Sequence, residues 1–123
     1  MKIAITSTGK TLDSQVDPRF GRAAYFIIID TETMEFSVIE NKNVAGAGGA
    51  GISSAKVVID SGAGAVLTGN CGPNAERTLT AASVKLYTAV TGTISEAVEL
   101  LKAGKLTENT GPNVQSYFGT GGN

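Results

Sequence analysis

Histidine is absent from this chain of 123 residues, and Cys71 is its only cysteine. Without an imidazole, neither a Ser-His-Asp nor a Cys-His arrangement can be built, and a His-ligated zinc site is excluded with them. One thiol cannot close an intrachain disulfide, so the cysteine usage does not ask for an oxidising compartment. Positive charge is scarce as well. Ten Lys and Arg against eleven Asp and Glu leave a net charge of -1 and a pI near 5.3, without the basic face that nucleic acids and anionic membranes require. Long apolar runs are missing too: the strongest, Tyr25 to Ile29, falls far short of the ~20 residues of a membrane helix. The opening Met1-Lys2-Ile3-Ala4-Ile5 has a strand's apolar pattern, without the apolar stretch and small-residue cleavage site of a secretory signal. The expectation is a cytoplasmic protein that binds neither nucleic acid nor membrane.

What is present describes one ordinary globular domain, with 41% hydrophobic and 17% charged residues. Ile3-Ala4-Ile5 reads as a first strand, followed by a long irregular stretch. Tyr25 to Ile29 reads as a second, whose continuous apolar character predicts burial on both faces. Met34 to Glu40 alternates, as expected of a third strand hairpinned to the second at the edge of a sheet. Ile52, Ala55, Val58 and Ile59 form a helical stripe, with Gly62 placed to cap its end. Ala65-Val66-Leu67 is a short buried strand, and Pro73 opens a second helix. Val84 to Tyr87 is a fifth strand. Thr93-x-x-Glu96 is a capping box for a third helix, which Gly104 ends. The order β-β-β-α-β-α-β-α predicts an α/β domain over residues 1–106, in which two right-handed crossovers impose parallel strands. Residues 107–123, rich in Gly, Thr and Asn, are expected to form a flexible tail.

In such a sheet, ligands sit outside the carboxyl ends of the parallel strands. Three backbone-rich segments are expected there: Ser7-Thr8-Gly9, Gly46 to Gly51, and Gly69 to Pro73. The last two open helices, so their free N–H groups face the rim. Helix ends contribute roughly 0.3–1 kcal/mol each to a bound anion, whereas micromolar affinity needs about 8 kcal/mol. Something charged or covalent must therefore help, and Arg19, Arg22 and Cys71 are the candidates. Charge-assisted hydrogen bonds from the arginines would add about 1.5–3 kcal/mol each; the plainer alternative is pairing with Asp13 or Asp17. Cys71 precedes a helix start, where the dipole favours a thiolate able to ligate a soft metal. The plainer alternative is a small apolar thiol packed under that helix.

Other chemistries find no support. Gly46-x-Gly48-x-x-Gly51 formally matches a dinucleotide fingerprint, but it follows an edge strand, and Thr68-Gly69-Asn70 stands where the ribose-binding acid belongs. No nucleotide cofactor is expected, and no Gly-Lys-Ser/Thr P-loop sequence occurs. Asp30 ends the second strand, but the first, fourth and fifth carry no carboxylate, so a two-metal nuclease site cannot be assembled. With no general base or carboxylate pair to name, the chain reads as a non-enzyme.

Val16-Asp17-Pro18-Arg19-Phe20-Gly21-Arg22-Ala23, then Gly48-Gly49-Ala50-Gly51-Ile52, then Leu67-Thr68-Gly69-Asn70-Cys71-Gly72-Pro73-Asn74-Ala75 together resemble the dinitrogenase iron–molybdenum cofactor biosynthesis family, over about residues 1–106. The resemblance implies a three-layer, ribonuclease-H-like fold with a mixed five-stranded sheet flanked by helices. It also implies a nitrogen-fixation-related carrier or scaffold for an iron–sulfur or iron–molybdenum cofactor or its precursor. Such a carrier would exchange cargo with donor and acceptor proteins, as a monomer or weak homodimer. On this reading Cys71 ligates the metal, while Gly48, Gly49, Gly69 and Gly72, with Asn70 and Asn74, donate to sulfides or anionic groups. Arg19 and Arg22 neutralise the charge. Relatives that handle cofactor commonly carry a histidine before the first helix, where this chain has Val44-Ala45-Gly46-Ala47-Gly48. The alternative is a protein, binding module or enzyme, that takes a small anionic metabolite at the same rim, with Cys71 structural.

Overall fold

A computed structural model of the chain describes residues 1–42 and 50–109, with only the backbone of Ala50. Its elements are β1 (Lys2–Ser7), β2 (Tyr25–Asp30), β3 (Phe36–Glu40), α1 (Ala50–Asp60), β4 (Ala65–Leu67), α2 (Pro73–Ala81), β5 (Lys85–Tyr87) and α3 (Ile94–Lys102). The five strands form one sheet in the order β3-β2-β1-β4-β5. β2 pairs antiparallel with both β1 and β3, whereas β1, β4 and β5 are parallel. β2 therefore runs against the other four strands, giving the mixed, ribonuclease-H-like sheet expected of the sequence.

Side-chain alternation divides the core into two layers. Ala4, Phe26, Ile28, Val66 and Leu86 face Ala55 and Val58 of α1 and Ala75 and Leu79 of α2. Ile3, Ile5, Ile27, Ile29 and Leu67 face Ile94, Ala97 and Val98 of α3. Helices thus cover both faces, and the continuous apolar run of β2 is accounted for: Phe26 to Ile29 are all buried.

The punctuation of the sequence is realised locally. Gly62 takes a positive φ of 84° just past α1, a conformation that L side chains avoid. At α3, Thr93 Oγ1 accepts from Glu96 N at 3.1 Å and Glu96 Oε1 accepts from Thr93 N at 2.8 Å, closing the capping box. The third strand is shorter than the alternation predicts. Asp30 Oδ1 accepts from Glu32 N at 2.8 Å, winding the hairpin turn so that Met34 lies at φ 64° and the strand starts only at Phe36. Of residues 107–109, Glu108 bridges to Tyr87 and Asn109 N donates to Leu86 O at 2.7 Å, so they lie along the outer edge of β5. Residues 110–123 are outside the described part.

Candidate functional site

The carboxyl ends of β1, β4 and β5 define one rim, and the loop from Val16 to Ala23 runs across it. Val16 N donates to Gly92 O and Asp17 N to Thr6 O, both at 2.9 Å. Thr6 Oγ1, fully buried, donates to the Asp17 carbonyl at 2.7 Å and lies 2.8 Å from Thr68 Oγ1 in a hydroxyl–hydroxyl bond. The loop is thereby fastened to the ends of both β1 and β4.

Asp17 is itself buried, and its Oδ1 accepts from Arg19 N at 3.0 Å and from Arg19 Nε at 3.3 Å. The carboxylate thus folds Pro18-Arg19 around itself and partly neutralises the arginine, the pairing that the sequence left open. Beyond it, Phe20 packs into the core at a ring-centroid distance of 5.7 Å from Phe26. Between these anchors the loop pairs with the segment after β4. Asn70 N donates to Pro18 O at 2.7 Å, and Phe20 N donates to Asn70 O at 3.0 Å. Only glycine fits beside this pairing. A Cβ at Gly69 would lie 2.6 Å from Pro18 Cα and 2.8 Å from Pro18 O.

This locked crossing borders a cleft of about 210 Å³ lined by Phe20 and Gly21, by Gly51 and Ile52 at the start of α1, and by Gly72 to Ala75 at the start of α2. Gly72 is the N-cap of α2 and supplies no side-chain cap. Pro73 has no N–H, so the first-turn amides that follow are left to water or a ligand. Gly72 and Asn74 therefore line the cleft, while Gly69, Asn70 and Arg19 belong to the adjoining crossing rather than to its lining. The Asn74 side chain is already engaged, accepting from Arg77 Nη2. Arg22 is exposed at the end of the loop. Gly48 and Gly49 lie outside the described residues.

Cys71 behaves differently from a helix-start thiolate. It is partly buried against the core layer under α1 and α2. Burial, with a smaller contribution from the nearby Glu76 carboxylate, pushes its thiol up to about 12. Desolvation outweighs the helix dipole here, and the group is a neutral S–H at physiological pH. Among the described residues no three His, Cys, Asp or Glu side chains gather into a metal site.

Two further residues support the rim without having stood out in the sequence. Asn41, buried just beyond β3, donates from Nδ2 to Ala23 O at 2.8 Å and to Gly21 O at 3.2 Å, tying the loop to the hairpin. Glu76 is buried in the first turn of α2, where burial raises its pKa and a hydrogen bond from the Asn109 side chain lowers it. Thr88 Oγ1 donates to Asn109 Oδ1 at 2.9 Å, so the chain beyond α3 is tied to β5 and α2 together. A polar residue ending an edge strand, and an acid one turn into a helix that starts at a rim, are the faint signals of these two positions.

A ribonuclease-H-like domain with a glycine-lined rim, and without a catalytic carboxylate cluster among its described residues, defines the class. The chain belongs to the dinitrogenase iron-molybdenum cofactor family, whose model matches residues 1–104. Among solved structures, it is similar to the apo form of the orange protein from Desulfovibrio gigas. That likeness has a TM-score of 0.88 and 41% identity, over 91% of this chain and 95% of the other. A Thermotoga protein of the DUF35 family, suggested to be a NifB protein, gives a TM-score of 0.77 with 42% identity, over 87% of this chain and 91% of that one. An uncharacterised protein of Methanocaldococcus jannaschii is 30% identical over 110 residues, 86% of this chain and 93% of the relative. No helix among the described residues is long and apolar enough to cross a membrane.

Proposed function

We propose that the chain is a non-catalytic carrier for a preassembled, anionic metal–sulfur cofactor or cofactor precursor, held in the rim cleft and passed between donor and acceptor proteins. The observation that carries this reading is the crossing of residues 17–20 with residues 69–70, which sets Phe20 and the start of α2 beside one small cleft, with Arg19 in the adjoining crossing. Family membership supports the cargo class, and the existence of an apo form of the orange protein supports a fold of this kind that takes up a bound group.

The chemistry of the donor set favours a cluster that brings its own sulfides. A single neutral thiol cannot build a tetrahedral cage, but amide N–H groups and guanidinium ions can hold a finished anion through charge-assisted bonds. Cys71 is then the one thiol the chain can offer the metal, and coordination requires that it lose its proton. The amides of Gly48, Gly49, Gly69 and Gly72, with Asn70 and Asn74, donate to the cargo, while Arg19 and Arg22 balance its charge. The high pKa of Cys71 favours a variant of this reading in which the thiol only packs and the cargo is a small anion held by the amides alone.

The test is anaerobic incubation with a cluster donor, followed by metal and sulfide analysis and a visible spectrum. Stoichiometric uptake that is lost in Cys71→Ser establishes ligation. Uptake that survives Cys71→Ser but fails in the Arg19→Ala, Arg22→Ala double variant establishes a carrier working by charge and hydrogen bonding. A protein that stays colourless, yet is stabilised against heat by phosphate or a small carboxylate, overturns the metal reading in favour of the small anion.

A further inference from the structure

The two edges of the sheet are finished differently. β5 is covered on its outer side by residues 107–109, through the bridge of Glu108 to Tyr87 and the bond from Asn109 N to Leu86 O. β3 has no such cover among the described residues. Its bonding pattern can be read from the ends of the hairpin. Asp30 N donates to Glu35 O and Asn41 N donates to Ala24 O, both at 3.0 Å, and the register pairs Ile28 with Ser37 and Phe26 with Ile39. Hydrogen-bonded pairs alternate along an antiparallel ladder. Glu35, Ser37, Ile39 and Asn41 therefore spend their backbone groups on β2, while Phe36, Val38 and Glu40 turn theirs outward. Phe36 is one of two exposed large hydrophobic residues in the described chain, at 42%. Between Phe36 and Ile39 the strand carries no Pro, Lys or bulge, the devices that usually protect an edge.

We propose that β3 is a self-association edge, pairing antiparallel with β3 of a second copy about a two-fold axis at Val38. In this register all three outward residues meet outward partners: Val38 faces its own copy, and Phe36 faces Glu40 of the partner subunit. Small Ser37 lies opposite the branched side chain of Ile39 of the partner subunit. Glu35 faces Asn41 of the partner subunit, so no two like charges stand directly opposite. Shifting the register by one pair in one direction would place Met34, held at φ 64° in the turn, in the ladder. A pair of five-residue strands covers much less than the ~800 Å² per partner of a standard interface, so the dimer is a weak one. Because the strands are antiparallel, the two rims point to opposite ends of the dimer. The two β4 strands are seven strand spacings apart, which at ~4.8 Å each is on the order of 30 Å. Each copy therefore keeps its own cleft, and one cluster cannot be shared between two Cys71 thiols.

The test uses the full chain without cofactor, which separates it from the carrier reading. Sedimentation velocity from about 10 μM to about 1 mM should show a rising weight-average coefficient, as expected of weak association. Over the same range, amide exchange at Phe36, Val38 and Glu40 should slow, while Ser37 and Ile39 stay unchanged. Phe36→Glu, at an exposed position, sets like charges opposite Glu40 of the partner subunit on both sides of the axis and should abolish both effects without lowering the thermal midpoint appreciably. A monomer throughout that range, or concentration-dependent protection elsewhere or without the alternation, overturns the proposal.

Discussion

Gly69→Ala tests whether the crossing of the two rim loops holds the site together. The added methyl would meet backbone on both near contacts, Pro18 Cα at 2.6 Å and Pro18 O at 2.8 Å, so no side-chain rotation relieves it. The loops must part or strain. Parting them loses the bonds from Asn70 N to Pro18 O and from Phe20 N to Asn70 O, each worth about 0.5–1.5 kcal/mol. Keeping them together instead forces overpacking, at about 1–3 kcal/mol. Either route destabilises the fold by about 1–3 kcal/mol, a large share of the ~5–15 kcal/mol total for a domain. At about 4 °C per kcal/mol for a domain of this size, the thermal midpoint should fall by about 4–12 °C. The internal control is Gly72→Ala. That residue has φ -70° and ψ 163°, and a Cβ there meets nothing within 4 Å, so its midpoint should stay within a few degrees. The assay is thermal unfolding followed by circular dichroism, with amide exchange at Phe20 and Asn70 as a local reporter. Equal midpoints for the two alanine variants, with Asn70 still protected, would refute the reasoning.

Cys71 supplies a second prediction. With its thiol pushed up to about 12, its alkylation rate should climb about tenfold per pH unit from neutrality to beyond pH 10, since only the thiolate reacts. A plateau near pH 8–9, measured by mass spectrometry, would show an ordinary thiol instead. Glu76 supplies a third, with a definite sign. Burial raises its folded-state pKa, so the folded chain holds the proton more tightly than the unfolded one. The stabilisation is complete below the unfolded value of about 4.3 and is lost as pH rises through the folded pKa. Glu76→Gln, which keeps a hydrogen-bonding partner for Asn109, should therefore raise the thermal midpoint at pH 7 by a few degrees and leave it nearly unchanged at pH 4. A lower midpoint at pH 7 would show that the carboxylate is a net stabiliser.

Signals confined to one stretch of chain were legible in the sequence. The capping box at Thr93 and Glu96, the glycine cap at Gly62 and the apolar run of β2 each state a local requirement, and the element order with its edge hairpin follows from them. Less legible were features that depend on depth or on a partner distant in sequence. Met34 fits the alternation of a strand, yet the Asp30 carboxylate organises the turn and takes it out of the ladder. Arg19 reads equally well as an anion binder and as a partner for Asp17; only the burial of that carboxylate fixes the pairing. Position alone suggested a lowered pKa at Cys71, because the helix start is visible in the sequence and the surrounding apolar atoms are not. Desolvation acts on the whole charge, and the dipole contributes a fraction of that effect.

The residues that make the family's motifs recognisable divide by task. Asp17, Phe20 and Gly69 are consumed in building the crossing: a buried carboxylate that winds the loop, a ring that anchors it, and a missing side chain that lets two backbones meet. What they leave facing outward is a short set of donors around Gly72, with Arg19 paired to Asp17 beside them. A cleft assembled in this way is ordered before any ligand arrives, so little binding free energy is lost to arranging it. It follows that damage to Asp17, Phe20 or Gly69 should weaken binding and stability together. Changes at Arg22 or Gly72 should alter binding while leaving the thermal midpoint nearly in place. On the proposed carrier reading, that separation lets the surface that meets the cargo vary without unmaking the loops that present it.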